Sequence, residues 1–267
     1  MSYNQAQSTH LAKQSLFWAI SDIVAMTKRN LLHYVRVPQL LIFSSIQPVM
    51  FLLLFTYVFG GAIKTSAGSY INFLIPGIIV QTVLFGATQT GVGLANDLSK
   101  GFIERLRSLP MARSAVLAGR TISDLIRNIF VVLLMTGVGF LIGFRPEENI
   151  GRLLVALGLT VLFGFAFSWI SATIGMLVKN VETAQVAGFI WVFPLVFASS
   201  IFVPVQTMPE WLQSFATHSP ITVTVNATRT LILGGDAMPD IWRSLAWIAG
   251  ILLVAVPIAV YRYRKST

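Results

Sequence analysis

Apolar residues fall in six long runs along this chain, each bounded by charged or turn-forming positions. A helix crossing ~30 Å of hydrocarbon at ~1.5 Å per residue needs about 20 mostly apolar residues. Runs of that order cover Leu40 to Phe59, Ile71 to Ala95, Ile122 to Phe144, Leu153 to Val178, Thr183 to Val203 and Leu245 to Tyr261. They predict an all-α integral membrane protein with six transmembrane helices. Arg145-Pro146 stops the third run. The connections after runs one, three and four are short, whereas a charged stretch follows the second and a Pro-, Gly- and Thr-rich segment follows the fifth.

Ahead of the first run, Leu16, Ile20, Ile23 and Val24 recur at i, i+4, i+7 and i+8, with Trp18 nearby and Lys28-Arg29 following. This periodicity predicts an amphipathic N-terminal helix within residues 1–38, lying in the headgroup layer until Pro38 turns the chain into the membrane. A short soluble helix packed on another subunit is the alternative. Residues 1–38 contain no apolar core ending in a small-residue cleavage site, so a secretory signal peptide is not expected. The organisation expected is a cytoplasmic N-terminal segment (1–38), one transmembrane domain (39–262) and a cytoplasmic tail (263–267).

Composition sharpens the membrane reading. Of the 267 residues, 55% are hydrophobic and only 11% are charged, against about 25% charged in a soluble domain. Mean hydropathy is +0.75. These values exclude a disordered chain and a soluble enzyme with a polar surface, and no nucleic-acid partner is expected despite the net charge of +9. In a membrane protein, excess Lys and Arg mark cytoplasmic loops and contacts with anionic lipids. With the N-terminus inside, the inner segments hold 14 of the 19 basic residues, and only Lys64, Arg145, Arg152, Arg229 and Arg243 lie outside. Both termini are therefore expected on the cytoplasmic side of the cell inner membrane.

The middles of the spans carry no ionisable residue, which weighs against a proton- or sodium-coupled carrier. Their polar residues, such as Gln47, Gln81, Gln89, Ser168, Ser171 and Thr173, suit interhelical hydrogen bonding, with substrate contact as the alternative. His10, His33 and His218 are far apart, so no metal site is expected, and the absence of cysteine excludes disulfides. No G-x-x-x-x-G-K-[ST] motif occurs, so any nucleotide energy must be supplied by another polypeptide. Gly139-x-x-x-Gly143, Gly158, Gly164 and Gly175 suggest close packing within the subunit. Asn226-Ala-Thr228 matches a glycosylation sequon and is read as a chance match.

The stretch from Asp97 to Pro110 carries the most information about partners. Phe102, Leu106 and Leu109 form one stripe of a short helix over about 100–110, with Glu104, Arg105, Arg107 and Ser108 on its other faces. Pro110 ends it. Such a helix either lies on headgroups or projects as a docking knob, its apolar stripe filling a cleft and its charges setting register. Beyond it, Arg120 and Asp124 at i, i+4 can pair at the membrane boundary.

The sequence here resembles the type-2 ABC permeases, especially the daunorubicin-resistance-type drug and lipid exporters. The run GFIERLRSLPMARSAVLAGR is similar to that family's first cytoplasmic loop, with Glu104, Arg105, Leu106, Leu109 and Pro110 matching its coupling helix. The run SSIFVPVQTMPEWLQSFATHSPITVTVNATRTLILGG is similar to the family's segment after span five, with Pro204, Pro209, Trp211, Leu212, Pro220, Arg229 and Gly234-Gly235 in order. Thr230 and Ser200 depart from the family pattern, where glycine is frequent. The resemblance implies a permease that pairs with a second permease, the same chain or a sibling, and with two ABC ATPase subunits that bind ATP and Mg2+. No cofactor is implied on this chain. Phe102 to Pro110 would dock on the ATPases. The permease interface and translocation path would involve spans one and five, through Gln47, Phe51, Phe55, Phe189, Phe193 and Phe197; lipid-facing or core packing is the alternative for each. The segment from about 204 to 243 would form outer re-entrant helices resembling an extracellular gate. The implied function is export of hydrophobic or amphipathic compounds, drug or lipid. A gradient-driven carrier and a non-transporting scaffold remain the competing functions.

Overall fold

The computed structural model describes residues 2–60, 69–101, 113–178 and 180–265, and the side chains of 2–17, 40, 41, 43, 113, 114, 264 and 265 lie outside that description. The described chain is helical nearly throughout. Helix α1 (Ser2–Arg36) is followed by α2 (Gln39–Leu54), which runs into a π-helical turn at Phe55–Phe59. Then come α3 (Tyr70–Ser99), α4 (Arg113–Leu141), α5 (Ile150–Leu177) and α6 (Val181–Phe197). Two shorter helices, α7 (Glu210–His218) and α8 (Pro220–Leu233), precede α9 (Met238–Lys265). The break between α7 and α8 falls at His218 to Pro220, where the sequence divides its two short apolar stretches.

Length and composition identify α3, α4, α5 and α9 as helices able to cross a membrane, whereas residues 44–59 and α6 are shorter apolar helices. Four of the six expected spans are thus recognisable by length. Local chemistry sets the boundaries. Asn149 and Asn180 accept hydrogen bonds from the Arg152 and Thr183 amides at 2.9 and 2.8 Å, capping α5 and α6. Ser219 caps α8 with Pro220 in its first turn. Helix α4 ends before Arg145-Pro146 because Gly143 adopts φ +106° and the Phe144 amide reaches back to the Gly139 carbonyl at 2.9 Å, a Schellman closure.

Helix α3 is the central post. It packs on α4, α5, α6 and α8, and most of its length is buried. Its tightest crossing is with α5. A Cβ on Gly91 would meet the Ser171 carbonyl, and one on Gly175 would meet the Gly91 backbone. Gly164 likewise rests on Val83, and Gly139 on Ile75. Close packing therefore holds for Gly139, Gly164 and Gly175. It does not hold for Gly158, which has open space beside it, or for Gly143, which serves the helix end.

Helix α1 lies along α4. Met26, Asn30 and Tyr34 form its buried stripe, while Trp18, Ile20 and Val24 face outward. The outward set is the apolar face expected for a helix at a lipid surface. The span hydroxyls differ from expectation: Ser168 and Thr173 donate to Phe165 and Trp169 carbonyls of their own helix, and buried Gln81 Oε1 and Ser171 Oγ have no partner among the described residues. For Ser168 and Thr173 the carbonyl about one turn back is the nearest acceptor and takes the hydroxyl.

Candidate functional site

The ends of α3 and α4 that flank residues 102–112, together with α1, form the basic end of the bundle. Antiparallel α3 and α4 bring Gly86 opposite Arg127 and Gly93 opposite Arg120. A Cβ on Gly93 would overlap the Arg120 guanidinium, and one on Gly86 would collide with Asn128 Oδ1 and crowd Arg127. The two glycines are seven residues apart, as are the two arginines, so each pair lies on one helix face two turns apart. Arg127 Nη2 donates to the Gly86 carbonyl at 2.6 Å, and Arg120 Nη2 to the Gln89 carbonyl at 3.3 Å.

Between the arginines sits Asp124, fully buried. Its Oδ2 accepts from Thr90 at 2.6 Å and from Arg120 Nε at 3.2 Å. Its Oδ1 accepts from the Tyr34 hydroxyl at 2.7 Å and lies 3.8 Å from Arg127 Nη1. Burial, then the Asp124 charge, pushes the Tyr34 phenol above its ordinary value, so it stays protonated and donates. The expected Arg120 and Asp124 pair is present at 3.2 Å. The pair is buried between three helices, where Arg127, Tyr34 and Thr90 complete the surroundings of Asp124. Tyr34, Thr90, Gly86 and Gly93 were not singled out from the sequence; the matched seven-residue spacings of glycine and arginine were the available signal.

A cavity of about 730 Å³ opens beside this cluster, lined by Arg29, Arg36, Gln89, Asp97, Lys100, Arg120 and Arg127 among others. Arg29 pairs with Asp97 at 3.5 Å. A separate pocket of about 50 Å³ shares Ser44, Gln89 and Arg127 with it and is lined also by Gln47, Phe85 and Phe189.

The aromatic residues named for the path form a continuous ladder. Phe51 stacks on Phe55 at 6.0 Å, Phe55 on Phe202 at 4.3 Å, and Phe197 lies 5.1 Å from Phe202 and 4.6 Å from Phe193. Phe85 contacts Phe193 and Phe189 at 6.3 and 5.7 Å. Phe202, absent from the sequence-based set, is the link that joins Phe51 and Phe55 to α6, and Phe85 of α3, also absent from it, packs on Phe189 and Phe193 of α6. Phe193 and Phe197 keep more than a third of their surface exposed, whereas Phe51, Phe55, Phe189 and Gln47 are half-buried.

At the opposite end of α3, Arg229 of α8 is held by neutral acceptors. Nε donates to the Phe73 carbonyl at 3.1 Å, Nη1 to Ser200 Oγ and Asn226 Oδ1 at 3.1 and 3.2 Å, and Nη2 to the Ser200 carbonyl at 2.9 Å. Its guanidinium sits 3.7 Å over the Phe73 ring. The Ser200 hydroxyl, a departure from the family pattern, thus joins this clamp. Asn226, the sequon residue, is mid-helix with its amide oxygen engaged. Pro204 and Pro209 precede a 3-10 turn (Val205–Thr207) and α7, Pro220 starts α8, and Trp211 is exposed. Phe102, Glu104, Arg105, Leu106, Arg107, Leu109 and Pro110 lie outside the described residues. No cluster of three His, Cys, Asp or Glu suited to a metal occurs among the described residues.

Comparison with known proteins places these features in a family. The chain is 33% identical over 248 residues to the daunorubicin resistance ABC transporter permease protein DrrB1 of Streptomyces coeruleorubidus, covering 93% of this chain and 88% of that one. It is 27% identical over 256 residues to the probable doxorubicin resistance ABC transporter permease protein DrrC of Mycobacterium tuberculosis, covering 93% and 90%. A putative transport permease, ycf38 of Pyropia yezoensis, is 30% identical over 237 residues, covering 84% and 77%. The model of the ABC-2 type transporter family matches residues 21–233, from within α1 to the end of α8. This chain, a multi-pass membrane protein, belongs to the ABC-2 type transporter family.

Proposed function

We propose that the chain is the permease subunit of an ATP-driven exporter of hydrophobic or amphipathic compounds. It would work with two ABC ATPase subunits carrying ATP and Mg2+ and with a second permease. In this reading six segments cross the cell inner membrane, both termini are cytoplasmic, and α7 with α8 forms a re-entrant outer gate. Drug-resistance permeases among the relatives support the substrate class. The carrying observation is the buried cluster that ties α1, α3 and α4 together where residues 102–112 join α3 to α4. A push received by Glu104, Arg105 and Leu106 would pass through two helix ends locked to each other, so the central post would move with it.

Substitution of Glu104 by Ala, or of Leu106 by Ala, should reduce co-purification with the partner ATPase and ATP-dependent transport. Unaltered association and transport in both variants would exclude the coupling role. Asp124 is a buried carboxylate that a gradient-driven carrier could use, yet two guanidinium groups and two hydroxyls already occupy it. Transport that stops on collapse of the proton gradient and persists without ATP would instead support such a carrier.

A further inference from the structure

We propose that the cavity at the basic end receives the phosphate of an anionic amphiphile, so that the exporter selects a substrate by an oxyanion headgroup. This deepens the exporter reading and rests on it for the term substrate. Among the described residues five cations line the cavity: Arg29 and Arg36 from α1, Lys100 from the end of α3, and Arg120 and Arg127 from α4. Two carboxylates stand against them. Asp97 pairs with Arg29, and Asp124 lies behind the wall with both oxygens engaged. Five against two leaves three positive charges facing one space.

The arginine side chains are partly dehydrated, with Arg120 15% and Arg127 4% exposed. Where water is scarce, attraction for an anion is stronger than at an open surface; Arg120 and Arg127, whose N–H groups are engaged by Asp124, Gln89 and Gly86, contribute charge, and the exposed Arg36 and Lys100 supply donors to phosphate oxygens. A cation would be repelled from the same walls. Polarity also changes across one wall of the cavity: Ser44, Gln89 and Arg127 are shared with a separate pocket of about 50 Å³ that is lined by Gln47, Phe85 and Phe189. A headgroup in the cavity would lie with this wall, and the aromatic ladder behind it, on the side nearest its apolar portion. The chemistry needed is a phosphate, whether carried on a lipid or free.

The test is native mass spectrometry of the full-length purified chain in detergent. The probes are phosphatidylglycerol, phosphatidylcholine and inorganic phosphate, each titrated separately and in competition. The wild-type chain should hold one phosphatidylglycerol about tenfold more tightly than phosphatidylcholine, and Arg36→Gln with Lys100→Gln should remove that preference. Both side chains are exposed at the cavity mouth, so the double variant should fold. Arg262→Gln, on an exposed position of α9 outside the cavity, should leave the preference intact. Displacement of phosphatidylglycerol by inorganic phosphate would assign the site to the anion alone; retention against it would assign it to the lipid, and both support an oxyanion site. Equal binding of the two lipids, or a preference that survives the double substitution, overturns the proposal. Because no ATPase is present, that failure is separate from failure of the coupling test at Glu104 and Leu106.

Discussion

Helix α3 is clamped by arginines at both ends, but the two clamps are built from different chemistry. At the basic end Arg120 and Arg127 close on the buried carboxylate of Asp124. At the opposite end Arg229 closes on two carbonyls, a hydroxyl, an amide and the face of Phe73. The ionic clamp sits where α1, α3 and α4 meet next to the proposed motor contact, and the neutral clamp fixes α8 against α3 and the end of α6. Removing one charge from an ionic clamp leaves the others stranded in a dry interior. Removing the cation from a neutral clamp leaves only dipoles, which strand less field. The ionic junction should therefore be the less forgiving of the two.

That ordering can be broken by experiment. Asp124→Asn keeps the side-chain volume and removes the charge, so it should destabilise the purified chain by about 3–5 kcal/mol, read by chemical denaturation in micelles. Arg229→Gln should cost less, about 2–3 kcal/mol, from hydrogen bonds to a charged group and the contact with Phe73. Arg229→Lys should recover only part of this, because an ammonium cannot fork to the Phe73 and Ser200 carbonyls together. Equal losses for Asp124→Asn and Arg229→Gln would show that the two clamps are energetically alike, and the contrast drawn from their partners would fail.

How much of this was legible in the sequence follows from the range over which each signal acts. The helices were readable because apolar runs and caps are local: the Arg145-Pro146 stop lies just beyond the end of α4, and the His218 to Pro220 break separates α7 from α8. The i, i+4 pairing of Arg120 with Asp124 was readable for the same reason. Tyr34 and Thr90 were not, because they reach Asp124 from 90 and 34 residues away, and nothing in their own neighbourhoods marks them. Phe85 and Phe202 were missed in the same way, since each belongs to a different segment from the aromatics it joins. Gly143 was misread as packing because a GxxxG spacing and a Schellman glycine look identical until the chain direction after them is known.

The glycines facing the arginines sharpen the comparison further. Gly93→Ala places a methyl group where the Arg120 guanidinium lies. The arginine can swing away only by loosening its bond to Asp124, so the substitution should cost about 1–2 kcal/mol as overpacking of a filled site. Combining Gly93→Ala with Asp124→Asn should then cost less than the sum of the two, because the second change removes the bond that the first one strains. Strict additivity would mean that Gly93 acts on helix packing alone and has no part in positioning Arg120.

The smallest effect should come from Gly158, which sits in α5 with no atom within 4 Å of an added Cβ. Gly158→Ala therefore carries none of the steric conflict of Gly93→Ala and reports only the helix preference of alanine over glycine. It should stabilise the chain by about 0.5–1 kcal/mol in the same denaturation measurement. A loss instead of a gain would mean that the added methyl meets a neighbour after all, and the contrast with Gly93 would fail at this site. Because the substitution touches no ion pair and no packed neighbour among the described residues, it isolates the backbone contribution of the helix, which neither arginine clamp can do.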